Sequence, residues 1–276
     1  MKETFRPYLH QLIPVFGERE AASVLRILLE DAIPIAITAD HLSPEICTRL
    51  DSYISRLLQG EPVQYITGKT KFFGNWLKVN PAVLIPRQET EELVDLVLQH
   101  YPPATTLSLL DIGTGSGCIP IAIKKKRPIW QVFACDISED ALDLAAENAT
   151  SNQVDINFFE QDILQENALE SVPMFDIIVS NPPYIPENER KLMPVQVLEH
   201  EPAMALFVSN EDPLVFYRQI SRVAIQKLNP GGMLFFECNE FNALQVLLEM
   251  EKAGLENVEI VQDLYKKDRI TVGKKL

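Results

Sequence analysis

Through the first sixty positions apolar residues recur at i, i+3, i+4 and i+7, most clearly over 21–29 and 46–58, which predicts amphipathic helices. Ser43-Pro44-Glu45-Ile46 opens the second of these with an N-cap candidate and a proline at the first helical position, and Gly60 is placed to end it. This stretch predicts a small helical bundle with no catalytic pattern of its own. From residue 61 to 86 the texture turns aromatic and β-prone. Over 72–79, Phe72-Phe73-Gly74-Asn75-Trp76-Leu77-Lys78-Val79 predicts a hairpin with Gly74-Asn75 at its turn and its aromatic residues in a core.

After Arg87 short apolar runs alternate with helical patterns. Strands are predicted over 107–112, 131–135, 156–160, 175–180 and 232–238, the last entered through Asn229-Pro230-Gly231, with a long amphipathic helix over 139–150. A closing antiparallel hairpin is predicted from 258–262 and 270–272. Alternation of this kind predicts an α/β fold built on a doubly wound, mostly parallel sheet. The expected organisation is a helical domain over 1–60, a β-hairpin linker over 61–86 and an α/β domain over 87–276.

Charge sharpens this picture. The net charge is −14, and residues 1–80 hold 9 basic and 9 acidic side chains, so the whole excess belongs to the remainder. A surface this acidic repels phosphate backbones, and DNA is not expected as a partner. Cys47, Cys118, Cys135 and Cys238 are far apart with no metal-type spacing, so all four are expected as buried small hydrophobes and no metal is expected. The opening residues lack the apolar segment of a signal peptide, and no apolar run reaches membrane-spanning length. A cytosolic protein with no membrane partner, acting as a monomer, is the expectation.

In a doubly wound sheet, ligands bind beyond the carboxyl ends of the strands. Four polar tips stand there. The first, Asp111-Ile112-Gly113-Thr114-Gly115-Ser116-Gly117, is a turn that lets a ligand approach the backbone closely. Its spacing is G-x-G-x-G; a dinucleotide fingerprint would need Gly or Ala where Cys118 stands. The spacing resembles the first motif of S-adenosylmethionine-dependent methyltransferases. The second tip, Asp136, ends a strand where a carboxylate can accept from both hydroxyls of a ribose, or can serve as an acidic group at the start of the next helix. The third is Asp162-Ile163, suited to accept from an adenine amine and to pack on its ring.

The fourth tip is Asn181-Pro182-Pro183-Tyr184. The nitrogen of an amide is a poor nucleophile because its lone pair is delocalised. The Asn181 side-chain oxygen and the Pro182 carbonyl can accept from its two N–H bonds, fix the group and favour sp3 character as it attacks a methyl. The prolines remove backbone freedom and donors, and Tyr184 can pack on the flat face of the target. None of His10, His41, His100 or His200 stands in a nucleophile–base pattern, and the proton can leave to solvent after transfer.

N-P-P-Y is shared by methyltransferases acting on planar NH2 groups. Together with Gly60-Glu61-Pro62, Tyr65-Ile66-Thr67-Gly68, Ile85-Pro86-Arg87-Gln88-Glu89-Thr90-Glu91, Glu201-Pro202-Ala203-Met204-Ala205-Leu206 and Asp268-Arg269, the chain resembles the HemK/PrmC family of peptide chain release factor N5-glutamine methyltransferases. The resemblance spans essentially the whole chain. It implies a class I S-adenosylmethionine-dependent methyltransferase fold, Rossmann-like with a mostly parallel seven-stranded sheet, and a small all-α N-terminal domain that grips a protein substrate. It further implies S-adenosyl-L-methionine held by Gly113, Thr114, Gly115, Ser116, Gly117, Asp136, Asp162, Ile163 and Asn181. Asn181, Pro182, Pro183 and Tyr184 would hold the glutamine of a Gly-Gly-Gln motif, with Arg87, Glu89, Thr90, Glu201 and Pro202 in support. Gln88 stands where the family has proline, and His200 where it often has an aromatic residue.

Three other readings compete. A ribosomal-protein glutamine methyltransferase would share the chemistry and differ in N-terminal recognition. A nucleic-acid amine methyltransferase would need a basic groove, and the one strong cluster, Lys124-Lys125-Lys126-Arg127, suits a helix C-terminus. A cofactor-sensing module would have no use for a pair of acceptors aimed at an amide.

Overall fold

The computed structural model describes residues 3–34 and 42–276; His41 lies outside them. By its contacts the chain divides into two compact units.

The first unit comprises Met1–Lys69, Val79–Pro81 and Met193–Glu201. It holds helices α1 (Arg6–Ala32), α2 (Pro44–Leu58) and α3 (Val63–Thr67). Gly17, at φ 73°, breaks α1 into two segments, a conformation that a side chain would resist. Ser43 caps α2, its hydroxyl accepting from Ile46 N at 3.3 Å, with Pro44 as the first helical residue. The apolar faces meet in a core that includes Leu12, Leu25, Leu28, Leu50, Ile54 and Leu57.

The second unit comprises Thr70–Lys78, Ala82–Leu192 and Pro202–Leu276. Strands β1 (Lys69–Phe72) and β2 (Asn75–Lys78) form a two-stranded sheet. Its turn is Phe73-Gly74, at φ 47° and 81°, one residue earlier than the expected Gly74-Asn75. Two consecutive positive-φ residues are what a tight hairpin turn needs. Phe72 is buried as expected, whereas Trp76 is 50% exposed and lies outside the core.

Helix α4 (Gln88–His100) then leads into a doubly wound arrangement. In chain order it holds β3 (Ser108–Ile112), α5 (Cys118–Lys126), β4 (Gln131–Asp136), α6 (Glu139–Ser151), β5 (Asn157–Glu160) and β6 (Phe175–Ser180). A short β7 (Ile185–Pro186) follows. Helix α7 (Val195–His200) comes next in the chain but belongs to the first unit. The second unit continues with α8 (Ala203–Leu206), β8 (Phe207–Val208), α9 (Val215–Lys227), β9 (Leu228–Glu237), α10 (Ala243–Ala253), β10 (Glu256–Gln262) and β11 (Asp268–Lys274).

The main sheet has seven strands in the order β10-β11-β9-β6-β3-β4-β5. The pairs β6–β3, β3–β4, β4–β5 and β9–β6 are parallel, and only β11 runs against its neighbours. This is the seven-stranded, mostly parallel class I methyltransferase architecture. Asn229-Pro230-Gly231 lies inside β9 and not before it; the register slips opposite Phe175–Ile177, where a bulge absorbs the proline. Alternate strand residues face opposite sides. Leu109, Ile177, Val179 and Phe235 face one core, and Leu110, Ile178, Leu234 and Phe236 the other. Cys135 and Cys238 are buried as expected, but Cys47 and Cys118 are only half-buried. Among the described residues no helix is long and apolar enough to cross a membrane, and no group of side chains could hold a metal ion.

Candidate active site

The switch in strand order falls at β3, whose neighbours β4 and β6 lead the chain away in opposite directions. The carboxyl ends of these strands therefore open onto one crevice. A cavity of ≈ 280 Å³ lies there, within the second unit. The glycine loop, Asp136, Asp162-Ile163 and Asn181-Pro182-Pro183 all line it, together with Arg87 and Thr90.

The glycine loop is shaped by hydrogen bonds to its neighbours. Gly113 N and Thr114 N both donate to Cys135 O, at 2.9 and 3.0 Å, which folds the loop back over the end of β4. Gly113 and Gly115 have φ of 75° and 52°, and nothing lies within 4 Å of where a Cβ would stand on either. The loop thus offers bare backbone with open space above it. Gly117 serves packing instead. At φ 78°, a Cβ there would meet Ala145 Cβ at 3.1 Å and Ile121 Cδ1 at 3.2 Å. It permits close helix approach and does not line the cavity. Behind the loop, the buried Asn148 of α6 donates to Ser116 O at 2.9 Å. It also accepts from Lys78 N at 2.7 Å and donates to Lys78 O at 3.0 Å, locking hairpin, helix and loop together.

Asp136 accepts from Gly115 N at 2.8 Å and from Ser138 N at 3.1 Å, so each carboxylate oxygen keeps a lone pair beside the cavity. The cap of α6 is Ser138, which accepts from Ala141 N at 3.2 Å, and not Asp136. Asp162 Oδ1 accepts from Leu164 N at 2.9 Å, and Ile163 is buried against the core. Beneath them, Asp111 is fully buried, and neither its carboxylate oxygens nor the Thr114 and Ser116 hydroxyls have a well-formed partner. Burial pushes the Asp111 carboxyl up to about 7; Thr114 opposes the rise and the Asp136 charge adds to it. Bare backbone, a carboxylate with spare lone pairs and buried orphan acceptors fit a ligand carrying hydroxyls and a cationic group.

At the end of β6, Ser180 Oγ donates to Ile112 O at 2.7 Å and ties the strand tips together. Asn181 follows. Its Nδ2 donates to Thr90 Oγ1 at 3.3 Å, and Thr90 donates to Glu237 Oε2 at 2.7 Å. No hydrogen bond to Asn181 Oδ1 is found among the described residues, and Asn181 lines the cavity. Thr90 and Glu237 are each 3% exposed. Burial pushes the Glu237 carboxyl up to about 7, opposed by the Thr90 hydrogen bond, the Arg269 charge and Asn181, and assisted by Glu89.

Some expected residues are not brought to the cavity. Tyr184 packs against the core, and its phenol is held above its usual range by burial. Glu89 and Pro202, which precedes α8, are not among the lining residues, and Glu201 belongs to the first unit, as does His200. Gln88 is exposed. Residues not foreseen line the cavity instead: Ala82, Val83 and Leu84 before α4, Ser138, Gln161, and Phe216 and Ile220 of α9. Glu237 was legible in principle. It is the polar tip of a fifth strand, after Met233-Leu234-Phe235-Phe236, in the same position relative to its strand as the other four.

The methyltransferase small domain family matches residues 87–221, and the PrmC N-terminal domain family matches residues 17–68. The release factor glutamine methyltransferase of Flavobacterium psychrophilum is 40% identical over 272 residues, 95% of this chain and 95% of that one. That of Bacteroides thetaiotaomicron is 43% identical over 241 residues, 87% and 86% of the two chains. Among solved structures, the T. thermophilus 16S rRNA N2 G1207 methyltransferase in complex with AdoMet and guanosine matches with a TM-score of 0.53 at 16% identity, over 75% of this chain and 50% of that one, a likeness of fold. With identity at this level running through both units, the chain belongs to the release factor glutamine methyltransferase family.

Proposed function

We propose that this protein transfers a methyl group from S-adenosylmethionine to the side-chain amide nitrogen of the glutamine in the Gly-Gly-Gln motif of peptide chain release factors. The observation that carries this reading is the state of Asn181: the residue lines the cavity and its amide nitrogen donates to Thr90, which leaves its oxygen to serve as the acceptor for the target amide.

The cofactor, when bound, supplies an electrophilic methyl carried on a sulfonium. Gly113, Thr114, Gly115 and Ser116 would pass its amino-acid portion over bare backbone, with Asp111 lending negative charge from below. Asp136 would accept from the ribose hydroxyls, while Asp162 and Ile163 would take the adenine. Asn181 Oδ1 and the Pro182 carbonyl would accept from the two N–H bonds of the target amide. That holds its nitrogen in one place and draws its lone pair out of conjugation. The prolines keep the acceptors aimed, and Gly117 and Tyr184 support the site from the packing behind it. No side chain is required as a base, because the methylated amide is acidic enough to lose its extra proton to water. The reaction belongs in the cytoplasm, on a protein substrate recognised by a monomer, with the helical region over 1–60 gripping the release factor and Arg87 lining the cavity that takes the glutamine.

Peptide mass spectrometry tests the proposal. The protein and S-adenosylmethionine are incubated separately with a release factor, with its Gly-Gly-Gln glutamine replaced by alanine, with ribosomal protein and with DNA. One methyl group on that glutamine alone is the expected result. Methyl on DNA or ribosomal protein, with none on the release factor, overturns the substrate assignment.

A further inference from the structure

The side chain of asparagine has two ends of nearly the same shape and opposite hydrogen-bonding character. For Asn181 to hold an amide NH2, its oxygen and not its nitrogen must face the cavity. Nothing within Asn181-Pro182-Pro183-Tyr184 decides which end does.

The decision is made by two residues far away in the chain. Thr90 lies in the first turn of α4, and Glu237 is the last residue of β9, paired in register with Ile270 of β11. A hydroxyl carries one proton. The Thr90 proton is given to Glu237 Oε2 at 2.7 Å, so Thr90 Oγ1 can meet Asn181 only as an acceptor. The Asn181 end that satisfies it is the NH2 group, found at 3.3 Å. Turning the amide over would set Oδ1 against the lone pairs of Oγ1. The alternative, pulling the Thr90 proton away from Glu237, would strip a buried carboxyl of its donor. The chain Asn181 N–H to Thr90 O–H to Glu237 therefore has one direction. Glu237 itself is held from the other side: Tyr217 Oη donates to its backbone carbonyl at 3.0 Å, and Arg269 Nη1 lies 3.5 Å from the carbonyl of the next residue, Cys238.

We infer that Thr90 and Glu237 are positioning residues for methyl transfer: the Thr90 hydroxyl, committed as donor to Glu237, accepts from Asn181 Nδ2 and thereby turns Asn181 Oδ1 toward the amide to be methylated. This inference rests on the proposed glutamine methylation. It extends that reading from the N-P-P-Y turn to a helix start and a strand end that act through Asn181. Ionised Glu237 has only acceptors to offer, so the direction of the chain is fixed most firmly above about pH 7.

The test compares Thr90→Val, which keeps the shape and removes the hydroxyl, with Thr90→Ser, which keeps the hydroxyl, both in the full chain. Methylation of a release factor is measured under saturating S-adenosylmethionine, with cofactor affinity measured separately by calorimetry. Thr90→Val is expected to lower kcat by about 10- to 100-fold, the scale of losing one preorganised contact. KM for the release factor and the cofactor Kd should stay within about threefold, and Thr90→Ser should return to within about threefold of the parent kcat. Should Thr90→Val not fold, Thr90→Ala removes the hydroxyl without overpacking and takes its place with the same expected result. A kcat within about twofold of the parent for the variant lacking the hydroxyl, equal losses in the Val and Ser variants, or a loss that falls on KM or Kd instead would each overturn the inference. The parent chain in the same assay separates the two levels: no methyl from the parent sinks the proposed function, whereas an active parent with an equally active Thr90→Val sinks the positioning role alone.

Discussion

Asp111 provides a quantitative test of how the glycine loop is built. Its carboxyl stands at about 7 in the folded protein against an ordinary 3.8, so the folded state holds an extra proton between those values. The favourable contribution is complete below about pH 4 and is lost as pH rises through about 7. A tenfold change in proton affinity corresponds to about 1.4 kcal/mol. Relative to the unfolded chain this group therefore costs about 4 kcal/mol at pH 8, where it is ionised and buried, and less than half of that at pH 5, where it has taken up a proton. Asp111→Asn removes the titration. The amide carries its own burial penalty of about 1–3 kcal/mol, but that penalty is independent of pH and cancels when the two pH values are compared. The neighbouring Cys118 thiol, pushed up to about 12 by burial, stays neutral throughout, and Glu237 titrates in parent and variant alike. Urea unfolding without cofactor should therefore show Asp111→Asn becoming more stable relative to the parent by about 3 kcal/mol between pH 5 and pH 8. A stability difference that is the same at both pH values would refute the reasoning, since it would mean that Asp111 is not desolvated in the folded state. With saturating cofactor added the variant's advantage should shrink by about 1.4 kcal/mol, since it is expected to bind S-adenosylmethionine about tenfold more weakly for want of the charge.

Three further substitutions separate chemistry from architecture. Asn181→Ala should lower kcat by about 10²–10³-fold while circular dichroism changes little, because it deletes the acceptor proposed to hold the target amide. Asn148→Ala should destabilise by about 2–3 kcal/mol in denaturant titration, as one buried and two part-buried backbone groups lose their partner at once. Gly117→Ala should cost about 2–3 kcal/mol and show in the melting temperature, since it combines a positive φ with a Cβ driven against Ala145 and Ile121.

Much of this protein is legible in the chain because its signals are local. The switch from 3.6-residue to alternating periodicity, Ser43-Pro44 at the start of α2 and the apolar runs ending in Asp111, Asp136, Asp162 and Asn181 are each set by a few neighbouring residues. Strand ends punctuated by polar residues determine a doubly wound sheet, and with it the edge on which those residues stand. What the chain by itself did not reveal comes from residues whose partners are distant. Gly117 reads as part of a ligand loop, yet Ala145 of α6 makes it a packing residue. Tyr184 reads as a platform for substrate, yet the core takes it. Asn148 looks like any polar residue in a helix until it meets a loop and a strand 32 and 70 positions away. Thr90 is separated from Asn181 and Glu237 by 91 and 147 positions, and their hydrogen bonds exist only because β6 and β9 lie side by side with α4 packed over their ends. The sequence determines which groups are available at the strand tips. The tertiary structure alone decides which way they donate, because a hydrogen bond's direction depends on the partner that has already taken the proton.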